Sequence, residues 1–86
     1  NFPEVTLPEH AGSHRILHIH RNMPGVLSRI NEVFSREGIN IDGQYLRTNP
    51  KVGYVVIDTA ASVEQATRLR AELSAIEGTL RTRVLY

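Results

Sequence analysis

A short polar segment between a predicted strand and a predicted helix carries the side chains best suited to bind a ligand. The segment runs from His18 to Leu27. Pro24 has a fixed φ and no N–H to lose, which favours the first turn of a helix, and Gly25 lets the backbone approach a ligand closely. Free N–H groups at a helix start favour a small anion such as a carboxylate. We therefore predict a pocket for a small zwitterion, with His20 and Asn22 at its mouth.

Metal binding and catalysis are less well supported by the same residues. His18 and His20 have the His-x-His spacing of some metal sites, but the chain has no cysteine and no carboxylates cluster nearby. Asp42 and Asp58 fall on different predicted strands, without an acid or base partner implied by their spacing. The chain also has neither a Gly-x-Ser-x-Gly elbow nor a glycine-rich phosphate loop. We expect no metal site and no catalytic residues in this chain.

The elements that must position the polar segment alternate in the order strand, helix, strand, strand, helix, strand. Apolar residues at helical spacing predict the helices, and runs rich in β-branched residues predict the strands. In chain order the strands cover about 15–20, 39–48, 53–60 and 79–85, and the helices cover about 24–37 and 62–78. This order predicts an α+β, ferredoxin-like βαββαβ sandwich with two helices on one face of a four-stranded antiparallel sheet.

Three local features refine this prediction. Gly43 lies inside the second strand, where a glycine often marks a bulge or a close backbone approach. A capping box from Ser62 to Gln65 is predicted to open the second helix. The buried stripe of this helix is predicted to begin at Val63, and Gly78 is predicted to end the helix. Residues 1–12, with two prolines and a glycine, are predicted to be a connector from an upstream domain, so that the folded domain covers 13–86.

The composition limits the classes of partner. The 86 residues suffice for one small domain, and a net charge of +1 with interleaved acids and bases argues against duplex DNA or an anionic membrane. The third strand faintly resembles an RNA-recognition motif. Such motifs stack bases on several aromatic side chains, however, whereas this strand offers Tyr54 alone. From composition alone, loop polarity and helix capping explain His20, Asn22 and Asn40 as well as a ligand site does.

The residues Arg21 to Leu27 resemble the loop-helix signature of ACT domains, which are small amino-acid-sensing modules. More narrowly, the chain resembles the C-terminal regulatory domain of serine-inhibited bacterial D-3-phosphoglycerate dehydrogenases. The matching segments span essentially the whole chain: Asn1–Val5, His18–His20, Asn22, Pro24–Leu27, Asn40–Ile41, Gln44–Leu46, Gly53–Asp58 and Leu85–Tyr86.

The resemblance implies a function. It implies that two copies pair edge to edge, that L-serine binds at their seam as allosteric effector, and that bound serine inhibits a distant catalytic part. His20 and Asn22 would come from one copy and Asn40 from the other, with Gly25 and Ile41 completing the effector-binding set. It further implies a cytoplasmic protein, no cofactor in this domain, NAD in the upstream catalytic part, and neither nucleic acid nor membrane as partner.

Three alternatives stay open at this point. The domain could sense another amino acid, such as glycine or an aromatic one. It could be a nucleic-acid-binding module of the same topology, or a dimerisation module without a ligand.

Overall fold

The computed structural model describes residues 14–85. The predicted connector, 1–12, lies outside the described residues. The six elements are β1 (His14–Arg21), α1 (Val26–Glu37), β2 (Ile41–Thr48), β3 (Val52–Thr59), α2 (Val63–Ser74) and β4 (Thr79–Leu85). The strands form one antiparallel sheet in the order β2-β3-β1-β4. The predicted ferredoxin-like fold is confirmed.

The core lies between the sheet and the two helices. Ile16 of β1 and its cross-strand partner Ile57 of β3 are fully buried, and they pack with the apolar stripes of both helices. Since side chains alternate along a strand, His18 and His20 share the helix-covered face with Ile16. The strand alternation therefore directs both histidines into the layer between sheet and helices.

Helix α1 begins two residues later than predicted. Gly25 is the N-cap, and its φ of 87° lies in the left-handed region that helical residues do not adopt. Pro24 therefore belongs to the turn before the helix, and its predicted place in the first helical turn is wrong. The turn uses the freedom of Gly25 to redirect the chain from β1 into α1.

Helix α2 confirms one predicted feature and corrects two. Ser62 and Gln65 form the predicted capping box, each side chain bonding the other residue's backbone N–H. Val63, however, is 60% exposed and does not belong to the buried stripe. The helix ends at Ser74, so Gly78, with a φ of 92°, lies in the turn that enters β4 and does not end the helix.

Candidate functional site

His20 is the buried polar group of the predicted pocket. Its side chain ends β1 on the helix-covered face, and the residue is only 4% exposed. Nδ1 lies 2.8 Å from the carbonyl oxygen of Arg21. Because a carbonyl can only accept, Nδ1 carries the proton, and Nε2 of the neutral ring is a bare acceptor. Nε2 is buried and has no hydrogen-bond partner among the residues that the structure describes.

Asn22 is held in place by the turn that joins β2 to β3. Its side-chain Nδ2 donates to the carbonyl oxygen of Asn49 at 2.8 Å, and its backbone N–H donates to the carbonyl oxygen of Lys51 at 3.0 Å. Asn49 in turn accepts the N–H groups of Lys51 and Val52 on its own side-chain oxygen, which closes the turn. The side chain of Asn22 thus keeps its carbonyl oxygen and one N–H for a ligand.

Gly25 leaves the start of α1 open to an anion. It is exposed, it forms no side-chain cap, and the first turn of α1 carries no acidic residue. The first backbone N–H groups of the helix are therefore available as hydrogen-bond donors to an anion, and the positive end of the helix dipole lies at the same place. His20, Asn22 and this helix start follow one another in the chain at the carboxyl end of β1, and together they make one candidate half-site.

Asn40 and Ile41 lie at the opposite end of the sheet. Thr59 pairs with both His14 and Ile41, so Ile41 is level with the start of β1. His20 lies six positions further along, which is about 20 Å at the rise of a strand. The register between β2 and β3 shifts between Ile41 and Gly43, so the predicted bulge is confirmed. One chain does not bring the five predicted effector-binding residues together.

Asn40 itself is exposed. Its backbone carbonyl oxygen accepts a hydrogen bond of 2.8 Å from the hydroxyl of Thr59, which fixes the backbone at the start of β2. The residue lines a cavity of about 200 Å³ together with Ile39 and Ala61. Asn40 is therefore an exposed residue on a backbone that is fixed by a hydrogen bond, at this end of the sheet.

His18, the first histidine of the His-x-His pair, is completely buried. Nε2 lies 2.9 Å from the hydroxyl of Thr79, which itself donates to the carbonyl oxygen of Leu73, so Nε2 of His18 is the donor. Burial lowers the pKa of His18 to about 4, and the nearby His20 acts in the same direction. Between residues 14 and 85, no cluster of three or more metal-ligating side chains is present.

Gly53 was missed by the sequence interpretation. It faces His20 across the β1–β3 ladder, and a Cβ at this position would lie 2.6 Å from Nε2 of the imidazole. The only sequence signal is a glycine within a strand rich in β-branched residues, and the strand register is needed to connect it with His20. Asn49, whose carbonyl oxygen accepts from the side chain of Asn22, was likewise missed.

Asp58 has a structural partner on the opposite face of the sheet. Its carboxylate accepts two hydrogen bonds from the guanidinium of Arg15, at 2.7 and 3.0 Å, and both side chains are about 10% exposed. This ion pair raises the pKa of Arg15 above its ordinary value. Asp58 thus forms a buried ion pair with Arg15.

Comparison with known proteins identifies the family. The sequence profile described as "AHAS small subunit-like ACT domain" matches residues 16–81. All 86 residues align with D-3-phosphoglycerate dehydrogenase of Haemophilus influenzae at 52% identity and with that of Escherichia coli K12 at 50% identity. The chain spans 20% and 21% of the lengths of these two relatives and matches their C-terminal region.

A solved structure supports the fold independently. The ACT domain of GTP pyrophosphokinase from Chlorobium tepidum superimposes with a TM-score of 0.75 at 18% identity, covering 85% of this chain and 96% of that one. No helix in the described range, 14–85, has the length and apolar character needed to cross a membrane. The profile match, the full-length alignments and the shared fold agree, and the chain belongs to the ACT-domain family.

Proposed function

We propose that this chain is an effector-binding regulatory domain that binds L-serine between two copies and thereby inhibits a D-3-phosphoglycerate dehydrogenase. The observation that carries the proposal is Nε2 of His20, a buried acceptor without a partner in the described range, in a residue that lies five positions before the N-cap of α1, Gly25. Its relatives of 50–52% identity carry the dehydrogenase name. In this proposal NAD belongs to the catalytic part, this domain binds no cofactor, and the protein is cytoplasmic.

The separation of Asn40 from His20 within one chain supports a site that needs two copies. β1 and β2 run in the same direction, because both are antiparallel to β3, and β2 is an edge strand. If two β2 edges pair antiparallel about a twofold axis, the start of one β2 lies beside the end of the other. That end also carries His20 and Asn22 of the other copy. Two complete sites result, each with Asn40 and Ile41 from the opposite copy.

A small domain also gains stability when one of its edge strands pairs in this way. A domain of this size buries only about 60% of its unfolded surface, so additional burial contributes substantially to its stability. Leu46 of β2 is 43% exposed and adds apolar surface to the same edge. Pairing through β2 would satisfy the edge backbone groups and cover this side chain.

The chemistry of the half-site matches each group of serine. The open N–H groups at the start of α1 and the free N–H of Asn22 suit the carboxylate. The carbonyl oxygens of Asn22 and Asn40 suit the ammonium group, and Nε2 of His20 accepts from the hydroxyl. Because alanine would leave Nε2 buried and unpaired, it should bind more weakly by about 1–3 kcal/mol.

Binding between two copies links the ligand to quaternary geometry. An effector shifts an equilibrium only by the difference between its affinities for the two states. Serine that contacts both copies in a closed interface, but one copy in an open interface, has such a difference. The predicted connector, 1–12, would transmit the change to the catalytic part.

Calorimetric titration of the full chain with L-serine, D-serine and L-alanine tests the proposal. We expect heat of binding for L-serine well above that for the other two. The Asn40→Ala variant should lose most of this affinity, although Asn40 lies about 20 Å from His20 along the strands of one chain. Heat no larger than that of L-alanine would refute serine as the effector, and unchanged binding by Asn40→Ala would refute the two-copy site. Glycine and aromatic amino acids in the same series test the other ACT specificities.

A further inference from the structure

We propose that Gly53 is a positioning residue for His20, and that together with the Arg21 carbonyl it makes His20 an obligate hydrogen-bond acceptor in the site. The effector must then bring a hydrogen-bond donor, a hydroxyl or an ammonium group, to this point. This inference rests on the proposed function and deepens it, because it specifies which ligands the site accepts.

The first step is steric. Gly53 and His20 are paired residues of the β1–β3 ladder, and the imidazole lies across the position where a side chain of residue 53 would be. A Cβ there would lie 2.6 Å from Nε2 and 3.0 Å from Nδ1, and it would collide with Cε1. Such contacts require the ring to move, since the alternative is displacement of a central strand.

The second step excludes a backbone reason for the glycine. Within the described range, the glycines with positive φ are Gly25, Gly38 and Gly78. Gly53 has no such requirement, so an alanine fits its backbone conformation. Because residue 53 has no side chain, the imidazole of His20 can occupy the space that a Cβ would fill.

The third step is electronic. The Arg21 carbonyl accepts from Nδ1 of His20 at 2.8 Å and so selects the Nδ1–H form of the neutral ring. Nε2 is left as a lone pair that is buried without a partner in the described part of the chain. A buried acceptor without a donor is unfavourable, and a ligand that donates to it removes the penalty. A site built in this way rejects analogues that lack the donor.

The experiment combines variants with a ligand series on the full chain. The ligands are L-serine and L-2,3-diaminopropionate, which offer a donor on the β-carbon, and L-alanine and O-methyl-L-serine, which offer none. We expect the wild type to prefer each donor ligand over L-alanine by about tenfold or more. In Gly53→Ala the serine-to-alanine ratio should fall to within about twofold. A purely structural role would weaken binding of all four ligands equally and keep this ratio.

A double-variant cycle tests whether Gly53 acts through His20. In the His20→Ala background the collision is absent, so Gly53→Ala should change serine affinity by less than about twofold. The double variant should also resist urea better than Gly53→Ala alone, which keeps the test valid if the single variant folds poorly. Ser62→Ala is the control for a general loss of stability, because Ser62 lies in the capping box of α2 and belongs neither to the proposed site nor to the β2 edge.

Nitrogen-15 spectra of the imidazole in the ligand-free wild type provide a readout that does not depend on binding. We expect the pattern of the Nδ1–H form for His20, lost or mixed in Gly53→Ala. An Nε2–H pattern in the wild type, a retained serine-to-alanine ratio in Gly53→Ala, or additive losses in the double variant would each overturn the inference. If no amino acid binds the wild type, the proposed function fails, and the spectra alone decide whether Gly53 positions His20.

Discussion

His18 should make the stability of this domain depend steeply on pH between about 7 and 4. Its pKa is about 4 in the folded state, against 6.5 for an ordinary histidine, because the ring is buried. The unfolded chain therefore takes up a proton at higher pH than the folded chain does. The stabilising effect of the neutral buried ring is complete above pH 6.5 and is lost progressively as the pH falls to 4. Below pH 4 no further loss arises from this group.

The magnitude follows from the difference between the two pKa values. One unit corresponds to 1.36 kcal/mol, so full acidification removes about 3 kcal/mol of the free energy of unfolding. The groups that face the ring are His20 on the same strand, the Thr79 hydroxyl, the Leu73 carbonyl and Thr82 across the β1–β4 ladder. None of them is a carboxylate that would stabilise the imidazolium. The desolvation of His18 is therefore not offset by an ion pair with these neighbours.

Urea denaturation followed by circular dichroism at several pH values between 4 and 7.5 measures this effect. The His18→Gln variant is the matched control, because an amide N–H can still donate to Thr79 while the group no longer titrates. Carboxylates that titrate below pH 5 cancel in the difference between the two proteins. We expect this difference to shrink by about 3 kcal/mol as the pH falls. A difference independent of pH, or an NMR titration midpoint of His18 near 6.5, would refute the reasoning.

Three further substitutions test separate features of the structure. Asp58→Asn replaces the carboxylate that accepts two hydrogen bonds from the guanidinium of Arg15 and should lower the free energy of unfolding by about 1.5–3 kcal/mol in urea denaturation; a loss below about 0.5 kcal/mol would contradict it. Gly25→Ala strains the left-handed N-cap of α1, so the unfolding free energy should fall by about 1–2 kcal/mol and serine affinity should fall with it; wild-type values for both would contradict the assigned turn. Ser62→Ala removes one half of the capping box with Gln65 and should cost about 1 kcal/mol without changing serine binding; altered binding would show that α2 contributes to the site.

The order and nature of the elements were predictable because they depend on local patterns. Helical spacing of apolar residues and β-rich runs identified two helices and four strands, and this order admits few topologies. The capping box at Ser62 and the bulge at Gly43 were predictable for the same reason, since each is a property of a few neighbouring residues. Helix boundaries were less accurate, because Pro24 and Gly78 are compatible with positions both inside a helix and in the adjoining turn.

The residues of the candidate site could be named from the sequence, but their positions relative to one another could not. Residue types and the Pro-Gly turn identified His20 and Asn22 as candidates, and the resemblance to ACT domains added Asn40. The sequence could not show that Asn40 lies at the far end of the sheet from His20, because this follows from the shared pairing of Thr59 with β1 and β2. Strand register joins residues that are distant in the chain, and it is set by the packing of the whole sheet.

The sequence by itself determined the kinds of side chain present, the local elements and the family. Only the tertiary structure decided that Gly53 lies against His20, that Asn49 holds Asn22, and that His18 is fully buried with a lowered pKa. The physical reason is that hydrogen-bond capacity and helix or strand preference belong to individual residues and their close neighbours. Desolvation, steric exclusion and the choice of histidine tautomer arise only where segments distant in the chain come into contact.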